Sequence, residues 1–252
     1  MTDDRLTGRI AVVTGGSRGL GQAIARDLAR AGASVAVTAR DVATLGATVG
    51  ELEALGATSL PVPLEVRDRD SIRSAADVIE RTLGPVDILV NNAGVQRLRA
   101  AVAVSEDDWS YVLDTNLRGA FFCCQEFGTR MQRRRHGKIV NISSAAGLIP
   151  VAERAAYATS KAGLNMLTRV LALEWAEYGI TVNAIAPTFV ETALGRLTLE
   201  DPRVRAYWTE RIPLGRVASV EDVAAAVVYL ASPAADFITG TVLPVDGGLT
   251  MR

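Results

Sequence analysis

The sequence predicts an α/β fold, a single doubly wound parallel sheet of about seven strands with helices on both faces. Short β-branched runs that are apolar almost without interruption are what strands become when helices cover both sides of a sheet; a strand with one wet face would alternate. These runs alternate with longer segments of helical period, with no internal repeat, low-complexity tract or Pro/Gly/Ser linker between them. At 252 residues, length alone allows one large domain or two small ones. The unbroken alternation makes residues 1–252 one domain.

Strands are expected at Ile10–Thr14, Ser34–Thr38, Leu60–Leu64, Ile88–Asn91, Lys138–Ser143, Thr181–Ala186 and Thr241–Val245. After the first, Leu20, Ile24 and Leu28 recur at helical spacing and stop before Gly32; after the second, Val42, Leu45, Val49 and Leu52 stop before Gly56. Both glycines stand where a helix C-terminus turns left-handed. Helical period returns from Ala155 to Tyr178, and Ser219 followed by Asp222 forms a capping box that opens a helix over Val220–Ala231.

Composition narrows the function classes. Lys plus Arg is 27 and Asp plus Glu 28, with 49% hydrophobic and 22% charged residues, which excludes a disordered chain. With no basic excess and only 5% aromatics, nucleic acid is not the expected partner. Cys123 and Cys124 are the two cysteines, adjacent, which suits neither a disulfide framework nor a four-ligand zinc site. The start, Met1-Thr-Asp-Asp-Arg5, lacks the basic-then-apolar layout of a signal peptide, and the longest apolar stretch, Val223–Ala231, is far short of the roughly 18 residues of a membrane span. A cytoplasmic protein without a membrane partner is expected.

The first strand runs straight into Thr14-Gly-Gly-Ser-Arg-Gly-Leu-Gly21, and an amphipathic helix follows at once. Backbone N–H groups at such a helix start receive a pyrophosphate, and positions without side chains let it come close. Gly15, Gly19 and Gly21 are spaced GxxxGxG rather than GxGxxG, and a glycine turn serving only the chain's own geometry is the alternative. The end of the second strand meets the adenosine ribose, where an acid favours NAD and an arginine NADP. Ala39 stands at the acid's position, leaving Arg40 to face a 2′-phosphate with Arg18 as partner, so NADP(H) is favoured over NAD(H). Asp41 competes for the ribose, but it immediately precedes a helical pattern and suits an N-cap.

Tyr157 and Lys161 lie four apart in helical period, phenol and ammonium one turn apart on one face. Bringing a phenol from a pKa of about 10 towards 7 takes about 4 kcal/mol, and a neighbouring ammonium together with an oxidised nicotinamide could supply most of it. By itself the pair equally fits an exposed polar contact. Its company points elsewhere: Ser144 follows one strand and Asn91-Asn-Ala-Gly94 ends another, both at the carboxyl edge where doubly wound sheets bind ligands.

In this order the motifs resemble the short-chain dehydrogenase/reductase family, from about Gly8 to Gly248. Thr14–Gly21 is similar to the family's TGxxxGxG and Asn91–Gly94 to its NNAG; Asn116, Ser144, Tyr157 and Lys161 match its tetrad, and Pro187 with Thr192 its nicotinamide-side segment. The resemblance implies a Rossmann-like fold and hydride and proton transfer between a nicotinamide and a carbonyl. Tyr157 would exchange the proton, Ser144 hold the carbonyl oxygen, Lys161 bind the nicotinamide ribose and tune Tyr157, and Asn116 position a water. Carried over position by position, the dinucleotide would meet Gly15, Ser17, Arg18, Gly19, Leu20, Gly21, Arg40, Glu65, Val66, Asn92, Ala93, Gly94, Tyr157, Lys161, Pro187, Thr188, Val190 and Thr192. Thr188 replaces a usual glycine, and Glu65 a usual aspartate near the adenine. A homotetramer is implied, and no metal; the single histidine, His136, is read as a surface residue.

Residues of about 189–211 would form a substrate lid, mixing Leu194, Leu197, Leu199, Tyr207 and Trp208 with Glu191, Arg196, Glu200, Asp201 and Arg203; packing on a helix surface is the alternative. Gln96-Arg97 is similar to sugar dehydrogenases of the family and favours a small polar substrate: a sugar, sugar acid or keto compound. The alternative is a 3-oxoacyl-[acyl-carrier-protein] reductase, with Arg133–Arg135 meeting the acidic carrier, although such a run equally complements a helix dipole. Tyr178, standing where those reductases carry a second basic residue, speaks against the carrier. A nucleotide-binding redox sensor is the non-enzymatic alternative; such proteins commonly lack the tyrosine or lysine present here.

Overall fold

The computed structural model describes residues 4–192 and 199–251. Seven strands, β1 (Ile10–Thr14), β2 (Ser34–Ala39), β3 (Ser59–Pro63), β4 (Ile88–Asn91), β5 (Gly137–Ile142), β6 (Ile180–Pro187) and β7 (Val242–Val245), form one sheet. Every neighbouring pair is parallel, in the order β3-β2-β1-β4-β5-β6-β7. Each expected strand is present, with ends displaced by no more than one residue.

The continuous apolar runs are explained by two cores. Val13, Val35, Val37, Ile88, Val90 and Val140 face α1 (Gly19–Arg30), α2 (Gly46–Ala54) and a last long helix over Val220–Ala231. Val12, Ala36, Leu89, Ile139 and Val182 face the opposite way, towards α3 (Arg69–Thr82), α5 (Gly119–Arg134) and α6 (Ala155–Trp175). Successive side chains leave a strand on opposite faces, and here both faces are dry. Burying side chains such as Leu28, Leu89 and Ile139 stabilises the fold by about 1.5–3 kcal/mol each.

Two helical expectations are refined. The segment from Val42 opens as a 3-10 turn over Val42–Leu45 before α2 begins, with Asp41 accepting from the Ala43 N–H at 3.0 Å. The period up to Tyr178 is α-helical to Trp175 and then tightens into a 3-10 turn that ends on left-handed Gly179, φ 67°. Gly32 and Gly56, at φ 96° and 75°, end their helices as expected.

Between α3 and α5, α4 (Glu106–Leu113) starts where Ser105 accepts from the Asp108 N–H at 3.1 Å, with three acids in its first turn. It runs into α5 through a π-helical turn over Asp114–Arg118. Arg133 and Arg134 occupy the last turn of α5, where positive charge suits the helix end; Arg134 and Arg135 also donate to the Val86 and Glu177 carbonyls. Pro202–Arg211 forms α7, capped by Asp201, and Val220–Ala231 forms α8. Among the described residues no helix is long and apolar enough to cross a membrane.

α8 carries the expected capping box. Ser219 Oγ accepts from the Asp222 N–H at 3.2 Å, and Asp222 accepts from the Ser219 N–H at 2.8 Å. The Arg216 fork binds the same carboxylate at 2.5 and 2.9 Å and holds its pKa down at about 2. Ser219→Ala costs about 1 kcal/mol, lowering Tm by about 2–4 °C in thermal melts at neutral pH. Because the folded-state pKa of Asp222 is depressed from 3.8, its contribution is present above pH 4 or so and is lost as pH falls towards about 2. Asp222→Asn therefore flattens that part of the acid melt.

Candidate active site

The sheet order reverses between β1 and β4, and their carboxyl ends open into a cleft of about 620 Å³. The turn after β1, the exits of β2, β3, β4 and β5, and the stretch after β6 meet there.

The glycine turn is pressed against the β4 exit. Thr14 Oγ1 accepts from the Asn92 and Ala93 N–H groups at 3.0 Å each, while the Asn92 amide donates to the Thr14 and Gly15 carbonyls at 2.9 and 3.0 Å. A Cβ on Gly21 would lie 2.2 Å from the Gly15 oxygen and 2.5 Å from the Asn92 amide, so no side chain fits. Gly15 itself is left-handed at φ 66°. Arg18 stands in extended conformation at the N-cap of α1 with no side-chain cap, and Ser17, Gly19 and Leu20 line the cleft beside it. Asn92, Ala93 and Gly94 line it too, with the Asn92 amide engaged in holding the turn.

At the far end of this half, Ala39 and Arg40 line the cleft, and Arg18 and Arg40 are both exposed. Asp41, the competitor, is an N-cap. Glu65 and Val66 reach the wall as expected, but the Glu65 carboxylate is turned sideways. Arg67 binds it through Nε at 3.2 Å, Nη2 at 3.0 Å and its backbone N–H at 3.0 Å, and holds it below the usual carboxylate range. The longer side chain finds a partner two residues on, which no spacing in the sequence signals.

Ser144, Tyr157 and Lys161 meet at the other half. Ser144 Oγ accepts from the Ala146 N–H at 3.1 Å, and Ser144 and the Tyr157 phenol line the cleft together. Burial pushes the phenol pKa up; the Ser144 hydrogen bond and then the Arg154 charge pull against it. Lys161 lies one turn further along α6. Its Nζ donates to the Ile142 carbonyl at 2.7 Å, at the end of β5, and lies 5.8 Å from the centre of the Tyr157 ring. The side chain is 4% exposed and burial lowers its pKa to about 8. The two side chains share a helix face, and the ammonium is bonded to a strand-end carbonyl beside the Tyr157 ring.

Asn116 is the one expected residue that does not line the cleft. The π-helical turn places it behind Gly94, where its Oδ1 accepts from the Val95 N–H at 2.8 Å and its Nδ2 donates to the Val95 carbonyl at 2.9 Å and Ser160 Oγ at 3.1 Å. Ser160 in turn donates to the Tyr157 carbonyl at 2.7 Å. Asn116 thus ties the β4 exit to α6.

Pro187, Thr188, Val190 and Thr192 line the fourth side. Thr192 lies against Gly19, with its Cγ2 3.5 Å from where a Cβ would be. The Thr188 hydroxyl, standing in place of the usual glycine, is buried without a protein partner among the described residues. Phe189 stacks on Trp208 at 4.7 Å and both line the cleft, as one face of the expected lid; Leu194, Arg196 and Leu197 fall outside the described residues. Sequence reasoning missed Arg154, 8% exposed in the cleft wall, because it lies in a loop without periodicity. His136, half-buried between Arg9 and Asp87, precedes β5 at the opposite edge of the sheet.

Comparison with known proteins agrees with this geometry. A family model described as enoyl-(acyl carrier protein) reductase matches residues 15–250. The chain is 41% identical over 250 residues to 3beta-hydroxysteroid dehydrogenase 1 of Eggerthella lenta, covering 98% of this chain and 96% of that protein. It is 40% identical over 250 residues to D-threitol dehydrogenase of Mycolicibacterium smegmatis, covering 99% and 96%. Among solved structures, a gluconate 5-dehydrogenase from Burkholderia cenocepacia J2315 in complex with NADP and tartrate superposes with a TM-score of 0.96 at 37% identity, covering 100% of this chain and 98% of that one.

Proposed function

The chain belongs to the short-chain dehydrogenase/reductase family and is a nicotinamide-dinucleotide-dependent oxidoreductase acting on CH–OH groups; from that premise we propose how its residues divide the work and which cofactor and substrate it takes. The carrying observation is the meeting of Ser144, Tyr157 and Lys161 in the cleft that the glycine turn opens. The residues present fit a dinucleotide: the turn excludes a side chain at Gly21, the start of α1 has no side-chain cap, and the Thr188 hydroxyl has polar capacity to spare. Once bound, the dinucleotide supplies the hydride acceptor or donor.

Tyr157 gives a proton to the substrate oxygen in reduction and takes it in oxidation. Ser144, in the same half of the cleft as that phenol, holds the substrate oxygen as negative charge develops. Lys161 binds the nicotinamide ribose, and Asn116 sets the β4 exit against α6. Gly15, Ser17, Gly19, Leu20 and Gly21 hold the pyrophosphate, Glu65, Val66, Asn92, Ala93 and Gly94 the adenosine side and the wall, and Pro187, Thr188, Val190 and Thr192 the nicotinamide side.

The cofactor is NADP(H) in preference to NAD(H). Arg18 and Arg40 are two exposed guanidinium groups at the adenosine end, Ala39 stands in place of an acid, and Asp41 is occupied as a cap. The substrate is a small polar alcohol or carbonyl compound: a sugar, sugar acid or keto compound. An acyl-carrier substrate finds less support, since Arg134 and Arg135 spend donors on backbone carbonyls. Residues 1–252 act as one catalytic domain with a lid of about 189–211, and the two free, buried cysteines suit the cytoplasm.

Tyr157→Phe lowers turnover by about 10²–10⁴ while calorimetry still detects NADPH binding; a variant as active as the wild type would sink the assignment. Arg40→Ala lowers the kcat/KM ratio for NADP over NAD by about tenfold or more. An unchanged ratio, or a wild type that prefers NAD, overturns the cofactor reading. The homotetramer is supported by an exposed apolar stripe on α6, Met166, Val170 and Leu173, at 57%, 42% and 83% exposure and helical spacing. Light scattering gives a fourfold mass if this holds and a monomer mass if it does not.

A further inference from the structure

Ser144 and Tyr157 share their half of the cleft with apolar side chains. Ile149, Phe189, Trp208 and Leu249 line it and pack with Ala145 and Ile212 into a small core of their own. Trp208 is the largest of them, half-buried on α7, and its indole is held from two sides. The Phe189 ring meets it at 4.7 Å between centres and 43° between planes, and the Tyr207 ring meets it edge-on at 5.3 Å and 89°. Arg211 stacks 3.4 Å from the centre of the Tyr207 ring and fixes that support in turn. The helix is fastened as well. The Arg203 N–H donates to Asp201 at 2.8 Å at its start, Arg205 donates to Glu191 at 2.9 Å, and past its end the Leu214 N–H donates to the Gly247 carbonyl at 3.1 Å.

A tryptophan held in this way presents a rigid, flat wall, because its two side-chain torsions have little freedom left to lose. The face of an indole is electron-rich, so it favours a partner that lays C–H hydrogens across it. A saturated six-membered ring does so: equatorial hydroxyls leave from its rim, and its faces carry hydrogen. An open-chain polyol bears a hydroxyl on every carbon, pointing to all sides. Some of them would turn to Ile149, Trp208 and Leu249 and lose water without gaining a partner. A ring also arrives rigid, whereas a chain is frozen on binding. With polar Ser144 and Tyr157 in the same half as the apolar wall, a rim oxygen reaches the first while a ring face rests on the second.

We propose that Trp208 is the specificity-determining residue of the substrate half. It selects secondary alcohols and ketones of saturated six-membered rings, such as cyclitols and pyranose sugars, over open-chain polyols, the ring face lying on the indole while a rim oxygen meets Tyr157 and Ser144. This rests on the reading of the cleft as the site of alcohol and carbonyl interconversion, and it narrows the sugar-like substrates to cyclic ones.

The test uses pairs matched in carbon and oxygen number that differ in ring closure: myo-inositol and glucitol, trans-cyclohexane-1,2-diol and hexane-3,4-diol, cyclohexanone and hexan-3-one. Binding to full-length enzyme is measured by calorimetry in the non-reacting pairings, alcohols with NADPH and ketones with NADP, and kcat and KM by NADPH absorbance. The wild type favours at least one ring compound over its open-chain counterpart by about tenfold or more in Kd and kcat/KM. Trp208→Ala abolishes that preference, chiefly through the Kd and KM of the ring compound, and Trp208→Phe restores part of it. Tyr207→Ala, at a side chain that does not line the cleft, lowers it in the same direction. Should Trp208→Ala fail to fold, Trp208→Phe and Tyr207→Ala decide, and a preference that neither of them lowers overturns the proposal. It is also overturned if no ring compound outbinds its counterpart in the wild type, or if the preference survives Trp208→Ala. Equal losses for ring and chain overturn it too, since Trp208 then only supports the wall. Absence of dinucleotide-dependent turnover for every compound contradicts the reading of the cleft, while the calorimetric arm still decides the role of Trp208.

Discussion

The Asn92 amide spends both its N–H groups on the carbonyls of Thr14 and Gly15, at 2.9 and 3.0 Å, and with the Thr14 hydroxyl it clamps the exits of β1 and β4 together where the sheet order reverses. That clamp demands a glycine at position 21, because any Cβ would enter the carbonyl it fastens. Everything in the cleft is referred to it. α1 leaves the turn with its first N–H groups facing the opening, and the β4 exit passes on to Gly94 and Val95, which Asn116 then ties to α6 and so to Tyr157.

From the clamp outward, buried polar bonds position groups that an apolar core alone would leave free to shift. Asn91 donates to Asn141 at 2.9 Å, Asn141 to Thr168 at 2.9 Å and Ser143 to Asn165 at 2.5 Å, joining β4, β5 and α6 under the site. Asn91 Oδ1 is buried without a partner among the described residues, but breaking any bond of the network would strand a further buried group, which rigidifies it. Burial acts on the ionisable groups above them: it raises the phenol of Tyr157, lowers Lys161 to about 8 and works against the charge of Arg154 in the wall.

Elements buried on both faces were legible because a continuous apolar run has few other places to go, and the five inner strands follow from that; the edge strands β3 and β7 are only partly buried. The α8 box was legible because Ser219 and Asp222 satisfy each other within one turn. α3 carries local marks as clear, an Asp68 cap and Ile72, Ala75, Ala76 and Ile79 on one face, whereas α4 is a short helix held by its Ser105 cap, and the π-helical turn that delivers Asn116 leaves no periodic mark. At the site, the glycine turn, Ser144, Tyr157, Lys161 and the Asp41 cap could be read from neighbours in sequence. The sideways Glu65 and the Arg154–Gln96 contact could not; in the second case the partners lie 58 residues apart and meet only when two loops pair.

The sequence by itself determined the strands, the helices α1, α2, α6 and α8 and the residue types brought to the carboxyl edge, since strand burial, helix caps and a side-chain-free turn are local or periodic requirements that a chain states in order. Tertiary structure alone decided where the charges point: that Lys161 bonds the end of β5, that Asn116 stands behind the cleft as a tie, and that Arg154 is sealed into its wall. Electrostatic roles depend on distance and desolvation between groups far apart in the chain, and those quantities exist only once the sheet has closed around them.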